Sequence, residues 1–543
     1  MPVPKARRIG AGFFNRKQRV KNTTPPGRPL KPLQKNKRTE KICLVCNTAL
    51  PETSLTYAVS WCYDGWRIAK DACASCFARR ENAMEENRQI RMENDLGRDD
   101  IRQLVRRIAL PSMLAQFVSV LYSIVDRMYI GHIPGVGELA LAGVGVCAPV
   151  VTMIGSVASL VGVGGAPLMS IKMGEGDVDG ARKILSNCFV MLCLFSLILM
   201  AVVIPLRRPM LLFFGASAET LPYADEYFLY YMTGTVFALL ATGMNSFVTA
   251  QGFARKAMFS VLLGAVMNIV LDPVFIFALN LGVKGAAIAT VISQAFSCAY
   301  ALCFLLGRRA QIRIEAVRPD FAIVRRVLLL GFTPFSIIAV DNAMIIAMNA
   351  VLQRYGGAGQ GDLLITVATI AQSFMLVVTM PLSGISGGTQ PILSFNYGAR
   401  QVDRVIRAQR HIFLWCLVFT AVMFVVARLA GPLFVLLFTS DPLVAEKAAW
   451  AIRVCTLALI PLGLQYEIVD GFTAIGQVRY AWPLSFWRKA VYFAALFILP
   501  AVWGAEATFY AEAISDVIGP LTSVAIYALV MKKLLARRAM PGG

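Results

Sequence analysis

The chain has 543 residues, of which 57% are hydrophobic and only 16% are charged, and its formal net charge is +21. A soluble protein carries about 25% charged residues, so the composition excludes an ordinary water-covered globular protein. Apolar runs of about 20 residues, long enough to cross a bilayer, recur along the chain beyond residue 110. These runs lack the two-residue alternation of a membrane barrel strand, so they predict membrane-spanning α-helices.

Residues 1–92 form a basic tail, with 19 Lys/Arg against 7 Asp/Glu and no apolar signal-peptide core. Two Cys-x-x-Cys pairs in it, separated by 26 residues, are Cys43, Cys46, Cys73 and Cys76. Such pairs suit tetrahedral zinc, although the usual spacing is about 15–20 residues. The hypotheses are a small zinc knuckle, unligated thiols in a disordered tail, or a stretch outside the natural product. In each case we treat the tail as an appendage.

In chain order, the apolar runs predict twelve membrane helices. They lie at 106–130, 139–171, 182–206, 221–249, 256–279, 284–306, 323–353, 362–395, 403–428, 442–474, 480–500 and 505–531. The longest connection, 307–326, has six arginines and two acids and divides the helices six and six. We therefore predict an N-terminal lobe at 93–307, a linker at 308–322, a C-terminal lobe at 323–537 and a short tail at 538–543.

The basic residues of the connections predict the orientation. If the N-terminus is cytoplasmic, the connections on that side carry about 20 Lys/Arg and those on the opposite side carry about six, as the positive-inside rule requires. An even number of helices then returns the C-terminus to the same side. The sequence predicts a multi-pass protein of the plasma membrane with both termini in the cytoplasm.

The two halves of the chain repeat at an offset of 224 residues. Gly164, Pro167, Ser170, Gly174, Val178 and Asp179 fall on Gly388, Pro391, Ser394, Gly398, Val402 and Asp403, and Thr249, Ala250, Gly252, Arg255 and Ala257 fall on Thr473, Ala474, Gly476, Arg479 and Ala481. Six helices per half keep both copies in the same orientation, so the repeat is parallel. Its axis should run along the membrane normal, with a cavity between or within the lobes.

These residues resemble the multidrug and toxic compound extrusion (MATE) family. The resemblance covers nearly all of 93–537 and is carried by four motifs. They are VDRMYIG at 125–131, Asn268 to Pro273, Gly285 to Thr290, and GTQPILSFNYGA at 388–399. It implies an all-α fold of twelve helices in two lobes and export of amphipathic, often cationic compounds in exchange for H⁺ or Na⁺.

Two acids and one amide in the first half lie at a similar predicted depth. Asp126 lies in the outer half of the first predicted helix, about four residues before its end, and Asn268 and Asp272 share a face of the fifth because they are four residues apart. Carboxylates inside a membrane are costly, and two at one level can share a proton because a second negative charge is disfavoured. The resemblance implies a cation site formed by Asp126, Asn268, Asp272 and Thr290. The structural alternatives are that Asp272 caps or bends its helix beside Pro273 and that Thr290 bonds to its own helix.

The second half carries its own intramembrane polar groups. Aligning Pro111 with Pro334 places Asn349 opposite Asp126, so the lobes are predicted to differ in ion handling. Candidates for a substrate cavity are Asp341, Asn349, Gln390, Asn396, Glu467 and Asp470. One alternative is a hinge at the Gly- and Pro-containing break near Gln390 and Asn396. The other is that the acids of this half, which include Glu512 and Asp516 of the twelfth predicted helix, pair with Arg453 or Arg488 inside the bundle.

Three functions remain from the sequence. The first is a monomeric efflux antiporter driven by H⁺ or Na⁺, with no required cofactor or nucleic acid. The second is a lipid-linked sugar flippase, which should have a strongly basic cavity. The third is a receptor or scaffold acting through its tail. We predict no enzyme, because neither His132 nor His411 has metal-ligand spacing and there is no phosphate-binding glycine loop.

Overall fold

The computed structural model describes residues 94–439 and 441–539. Helices fill the first half, which we call the N lobe. They are α1 (Ile101–Gly131), α2 (Gly137–Gly174), α3 (Val178–Phe213), α4 (Leu221–Thr233), α5 (Thr235–Ala250), α6 (Ala254–Pro273) and α7 (Gly282–Leu306). A π-helical turn, Val274–Ala278, follows α6 directly. The predicted positions of these helices are therefore confirmed, with ends that differ by up to seven residues and with the fourth predicted helix, 221–249, broken at Gly234.

The second half, the C lobe, is also helical, and the described residues contain no strand. Its helices are α8 (Phe321–Gly398), α9 (Val402–Leu429), α10 (Gly431–Val435), α11 (Pro442–Cys455), α12 (Leu459–Ala474), α13 (Val478–Trp503) and α14 (Tyr510–Ala539). A 3-10 turn, Ala505–Phe509, precedes α14. The long α8 contains two membrane spans, Phe321–Gly357 and Leu363–Gly398. Between them the chain turns at Gly357, whose φ of +66° favours glycine.

The described residues contain ten spans that are long and apolar enough to cross a membrane. The pair α4 and α5, bent by 56° at Gly234, makes an eleventh. In the C lobe α11 and α12 break at Ala458, which lies 224 positions after Gly234. The arrangement is therefore consistent with twelve spans, six in each lobe, and large apolar side chains such as Phe213 and Leu429 are exposed on the surface as lipid contact requires.

Aspartates at the connections cap the helices. Asp100 accepts a hydrogen bond from Gln103 N (3.1 Å) at the start of α1, and Asp177 accepts one from Gly180 N (2.8 Å) at the start of α3. Asp320 and Asp441 cap α8 and α11 in the same way. Each carboxylate satisfies a backbone N–H that lacks a partner within the helix, so these connections fix where the helices begin.

The internal repeat is visible in the hydrogen bonds. Ser170 Oγ donates to Ala250 O over 3.1 Å, and Ser394 Oγ donates to Ala474 O over 2.8 Å, at the equivalent place of the C lobe. Gly252 and Gly476, also equivalent, both have positive φ, at +86° and +74°. The sequence repeat therefore corresponds to a repeat of local structure.

The lobes meet closely at the end of the bundle where α2 leads to α3 and α8 leads to α9, which we call the basic end. A Cβ on Gly174 would lie 2.0 Å from Phe395 O, and a Cβ on Gly398 would lie 2.1 Å from Ile171 O. The two contacts are related by the 224-residue offset, as expected for reciprocal packing across a two-fold axis. Glycine at both positions allows α2 and α8 to close the basic end.

The segment 94–100 reinforces this closure because it contacts both lobes. Asn94 Nδ2 donates to Gly252 O in the N lobe (2.8 Å), while Leu96 O accepts from Asn396 Nδ2 in the C lobe (2.9 Å). Arg404 also donates to Asp99 O over 2.8 Å. The start of α1 packs in the C-lobe core through Leu104 and its neighbours. The predicted boundaries of the lobes stay a prediction, and the tail, with the candidate zinc ligands Cys43, Cys46, Cys73 and Cys76, lies outside the described residues.

Candidate functional site

The acids predicted for cation coupling lie together inside the N lobe. Asn268 Nδ2 donates to Asp272 Oδ1 over 3.0 Å and lies 3.4 Å from Thr290 Oγ1. The carboxyl groups of Asp126 on α1 and Asp272 on α6 are within hydrogen-bonding reach of each other. The structure thus joins all four predicted residues, from α1, α6 and α7, in one cluster.

Several oxygens of this cluster are buried without a partner in the described part of the chain. They are Asp126 Oδ1, Asn268 Oδ1 and Asp272 Oδ2. Asp272 is fully buried and Asn268 is 2% exposed. Buried acceptors without donors are costly, and a proton or a cation would satisfy them. The donor set, two carboxylates with an amide and a hydroxyl, has the oxygen chemistry that either ion requires.

The backbone changes form next to this cluster. Pro273 follows Asp272 and has no N–H to continue the α-helical pattern, and the π-helical turn Val274–Ala278 begins at once. Such turns allow a helix to reorient side chains near a functional group. The change of helical form therefore comes directly after Asp272, the residue that lies near Asp126.

A cavity of about 800 Å³ lies between the lobes. Its N-lobe wall is neutral and polar, with Gln116, Tyr122, Asn268, Thr290 and Gln294 among its residues. Asn268 and Thr290 belong to both the cavity wall and the acid cluster, so they separate Asp126 and Asp272 from the cavity. The two acids therefore lie next to the cavity without lining it, whereas the other two residues of the cluster belong to the lining.

The C-lobe residues predicted for the cavity fall into two groups. Asp341, Gln390 and Asp470 line it, and Gln390 Nε2 donates to Asp470 Oδ1 over 3.0 Å. Asn349, Asn396 and Glu467 are not part of the lining. Asn396 lies at the basic end, bonded to Leu96 O, and Glu467 is fully buried behind the wall with both carboxyl oxygens unpartnered among the described residues.

Ion pairs that the spacing did not specify lie in the same wall. Arg488 bonds Asp516 Oδ1 over 2.7 Å and lies 3.7 Å from Glu512, so the predicted alternative of pairing inside the bundle applies to this arginine. Lys489 pairs with Asp341, which is distant in sequence. Sequence reasoning missed Lys489, although a lysine within an apolar run such as 480–500 is itself a signal of function.

In residues 94–439 and 441–539, no group of three or more His, Cys, Asp or Glu side chains has the arrangement of a metal site. The zinc hypothesis concerns Cys43, Cys46, Cys73 and Cys76, which the structure does not describe. It therefore stays a prediction from their spacing.

The chain matches the MatE family model over residues 111–274 and 338–487. It is 23% identical over 443 residues to the multidrug export protein MepA of Staphylococcus haemolyticus, covering 81% of this chain and 96% of that protein. It is also 23% identical to MepA of Staphylococcus aureus, covering 78% of this chain and 93% of that protein.

Solved structures share the fold. An outward-facing multidrug resistance MATE transporter of the MOP superfamily is 21% identical, covers 83% of this chain and 100% of its own length, and has a TM-score of 0.76. A MOP superfamily transporter from Pyrococcus furiosus, described as having a binding pocket of reverse polarity, is 21% identical, covers 82% of this chain and 98% of its own, and also has a TM-score of 0.76. The family model covers more than half of this chain, in both lobes, and includes Asp126, Asn268, Asp272 and Asp470. This chain is a multi-pass membrane protein that belongs to the MatE family.

Proposed function

We propose that the chain is a secondary active multidrug exporter that exchanges amphipathic, often cationic compounds for H⁺ or Na⁺. One observation carries the proposal. Two carboxyl groups, Asp126 and Asp272, lie within hydrogen-bonding reach inside the N lobe, directly behind the wall of the central cavity. Membership of the MatE family and the names of the MepA relatives support the same function.

The cavity suits amphipathic compounds. Twenty of its lining positions are Met, Ile, Val or Ala. The unbranched side chains of its methionines, Met258, Met344, Met348, Met375 and Met380, adapt to ligands of different shape. Asp470, which has no ion-pair partner among the described residues, supplies a negative charge at the wall. An apolar cavity with few polar groups favours a hydrophobic compound that carries a positive charge.

Coupling would follow from charge in the acid cluster. Two ionised carboxylates at close range repel each other, so binding of one H⁺ or Na⁺ stabilises their approach. Asn268 and Thr290 contact both the cluster and the cavity, so an approach of α1 to α6 changes the cavity wall. Ion binding and compound binding would then exclude each other, which is the condition for exchange.

The closed basic end indicates the side of the membrane from which the cavity is shielded. The basic connections predict that this end faces the cytoplasm. With α2 and α8 packed together there, compounds in the cavity are shielded from the cytoplasm. We propose location in the plasma membrane, both termini in the cytoplasm and function as a monomer.

The charges of the cavity wall favour export over the flippase alternative. A flippase for a lipid-linked sugar should hold a pyrophosphate in a strongly basic cavity. Here Arg488 and Lys489 are each paired with acids of the C lobe. The wall therefore offers no excess of positive charge to a pyrophosphate.

Export from proteoliposomes tests the proposal, with the cationic dye rhodamine 123 and either a proton or a sodium gradient. Asp126→Asn and Asp272→Asn should each abolish gradient-driven export. A neutral amide neither binds a proton near neutral pH nor supplies the negative charge that would hold Na⁺ at the cluster. Asp179→Asn, whose side chain is 81% exposed at the basic end, is the matched control and should export at the parent rate. Unchanged coupled export in both cluster variants would contradict the assignment of the cluster as the cation site. A parent protein that exports no dye would favour the flippase.

A further inference from the structure

All charged side chains that line the central cavity in the described part of the chain come from the C lobe. They are Asp341, Asp470, Arg488, Lys489 and Glu512. The N-lobe wall offers only neutral polar and apolar groups. Recognition of charge on a bound compound must therefore take place on the C-lobe side, away from the acid cluster.

Arg488 is not available for this role. Its guanidinium bonds Asp516 Oδ1 over 2.7 Å and lies 3.7 Å from Glu512 Oε1. The Asp516 side chain is fully buried. With two carboxylates around it, Arg488 is neutralised within the protein.

Lys489 differs from its neighbour. Its ammonium group has one acid partner among the described residues, Asp341, from α8. An ammonium group has three N–H donors, so one carboxylate does not satisfy it. The Lys489 side chain is 6% exposed, whereas the Asp341 side chain is 44% exposed and borders the cavity. The pair thus presents a positive and a negative group side by side at the cavity wall, with an accessible acid.

Compounds of different charge would affect this pair differently. A simple cation that binds Asp341 leaves the buried Lys489 ammonium with less compensation, and a simple anion that binds Lys489 lies beside the negative charge of Asp341. Leaving a buried charge without its partner is strongly unfavourable. A compound with both charges can pair its carboxylate with Lys489 and its cationic group with Asp341, so neither protein charge is left unpaired.

We propose that the Lys489–Asp341 pair is a subsite for amphipathic zwitterions, in which Lys489 binds the carboxylate of a compound whose aromatic body fills the cavity. Lys489 is thereby the residue that determines selectivity between a zwitterion and its esterified cationic form. This inference rests on the proposed export function for its transport consequence, but not for its binding consequence.

Two dyes that differ only at a carboxylate test it. Rhodamine 110 carries a free carboxylate beside its cationic ring system, and rhodamine 123 is its methyl ester. Dye binding to the purified full-length protein is measured by fluorescence polarisation, and export is measured in proteoliposomes. Lys489→Met should weaken rhodamine 110 binding roughly tenfold, the effect of one lost charge-assisted hydrogen bond. The same variant should strengthen rhodamine 123 binding, because Asp341 is released.

Two further cavity variants and one control variant complete the test. Asp341→Asn should weaken the binding of rhodamine 123 more than the binding of rhodamine 110. The double variant Lys489→Met/Asp341→Asn leaves neither charge of the pair, so it should bind both dyes without preference. It provides the test even if the single variant Lys489→Met folds poorly. Lys447→Met, which removes a lysine paired with Glu506 outside the cavity lining, should change neither affinity.

The outcomes separate the two proposals. Equal weakening of both dyes by Lys489→Met, or a parent that binds rhodamine 123 but not rhodamine 110, would overturn the subsite and leave export standing. Suppose instead that Lys489→Met changes the affinities for the two dyes in opposite directions, while the parent protein exports neither dye. That result would support the subsite and reject the exporter.

Discussion

At the scale of single residues, buried acids in this protein occur in two different environments. Asp272 has Asn268 as a donor and Asp126 as a neighbour, next to the cavity. Glu467 on α12 is fully buried with both carboxyl oxygens unpartnered among the described residues, and it is not part of the cavity lining. The first environment adjoins residues of the cavity wall, as our proposal of ion exchange requires, and the second lies outside the cavity lining. The intramembrane position that marked both residues in the sequence does not distinguish them.

Glu467 gives a prediction on stability. Glu467→Met replaces a buried polar group that has no hydrogen bond by an apolar one of similar length, so it should raise the free energy of unfolding by about 1–3 kcal/mol. The measurement is the melting temperature of the purified protein in detergent, which should rise by a few degrees while export of rhodamine 123 is retained. Glu446→Met, at an exposed position of α11, is the control and should leave the melting temperature unchanged. A lower melting temperature for Glu467→Met would show that Glu467 has a stabilising partner.

At the scale of the elements, the repeat predicted which helices of the two halves are equivalent, and the structure shows how two equivalent helices meet. The reciprocal contacts Gly174 with Phe395 O and Gly398 with Ile171 O place the backbones of α2 and α8 against each other at the basic end. Glycine was identified there as part of a repeated motif, but repetition alone does not show that the two copies touch. The turn that follows each of these helices is also repeated. Arg400 has a φ of +58° and Gly176, its equivalent in the N lobe, has a φ of +79°, so the turn is the same although the residue differs.

Gly174→Val tests the role of this helix crossing. A side chain there would overlap Phe395 O, and overpacking of this kind costs about 1–3 kcal/mol. The closed form at the basic end should therefore become roughly tenfold less populated relative to an open form. The measurement is labelling of a cysteine introduced at the cavity residue Ala115 by a membrane-impermeant maleimide, applied from the basic side of inverted vesicles.

Labelling should increase in Gly174→Val, and export should fall. Gly145→Val, at a position on the same helix where a Cβ meets no atom within 4 Å, is the control. Labelling of Gly174→Val at the rate of the Gly145→Val control would contradict a gate at the crossing.

At the scale of the whole molecule, the lobes share a fold but differ in their charges. The N lobe keeps Asp126 and Asp272 behind a neutral wall, whereas the C lobe presents its charges at the cavity. The alignment of Asn349 with Asp126 predicts unequal ion handling by the two lobes, and this stays a prediction. We propose that the N lobe binds the coupling ion and that the C lobe recognises charge on the compound.

The tail gives a prediction at this scale. A chain that starts at Met92 keeps every helix described here, including the bridging segment 94–100, so its export of rhodamine 123 should equal that of the full chain. Zinc content is measured in both proteins at the same time. Loss of export by the shortened chain, with normal insertion into the membrane, would favour the hypothesis of a receptor or scaffold that acts through its tail.

The sequence by itself determined the membrane helices, the parallel repeat and the grouping of Asn268 with Asp272, because hydrophobicity and spacing along one helix are local properties. Only the tertiary structure decided which faces of different helices meet. It paired Lys489 with Asp341 across 148 residues, joined Asp126 to Asp272, closed the basic end, and placed Asn349, Asn396 and Glu467 outside the cavity lining. These contacts depend on how each helix is rotated and packed in the bundle, and in a nearly uniform apolar sequence the local pattern does not specify that rotation.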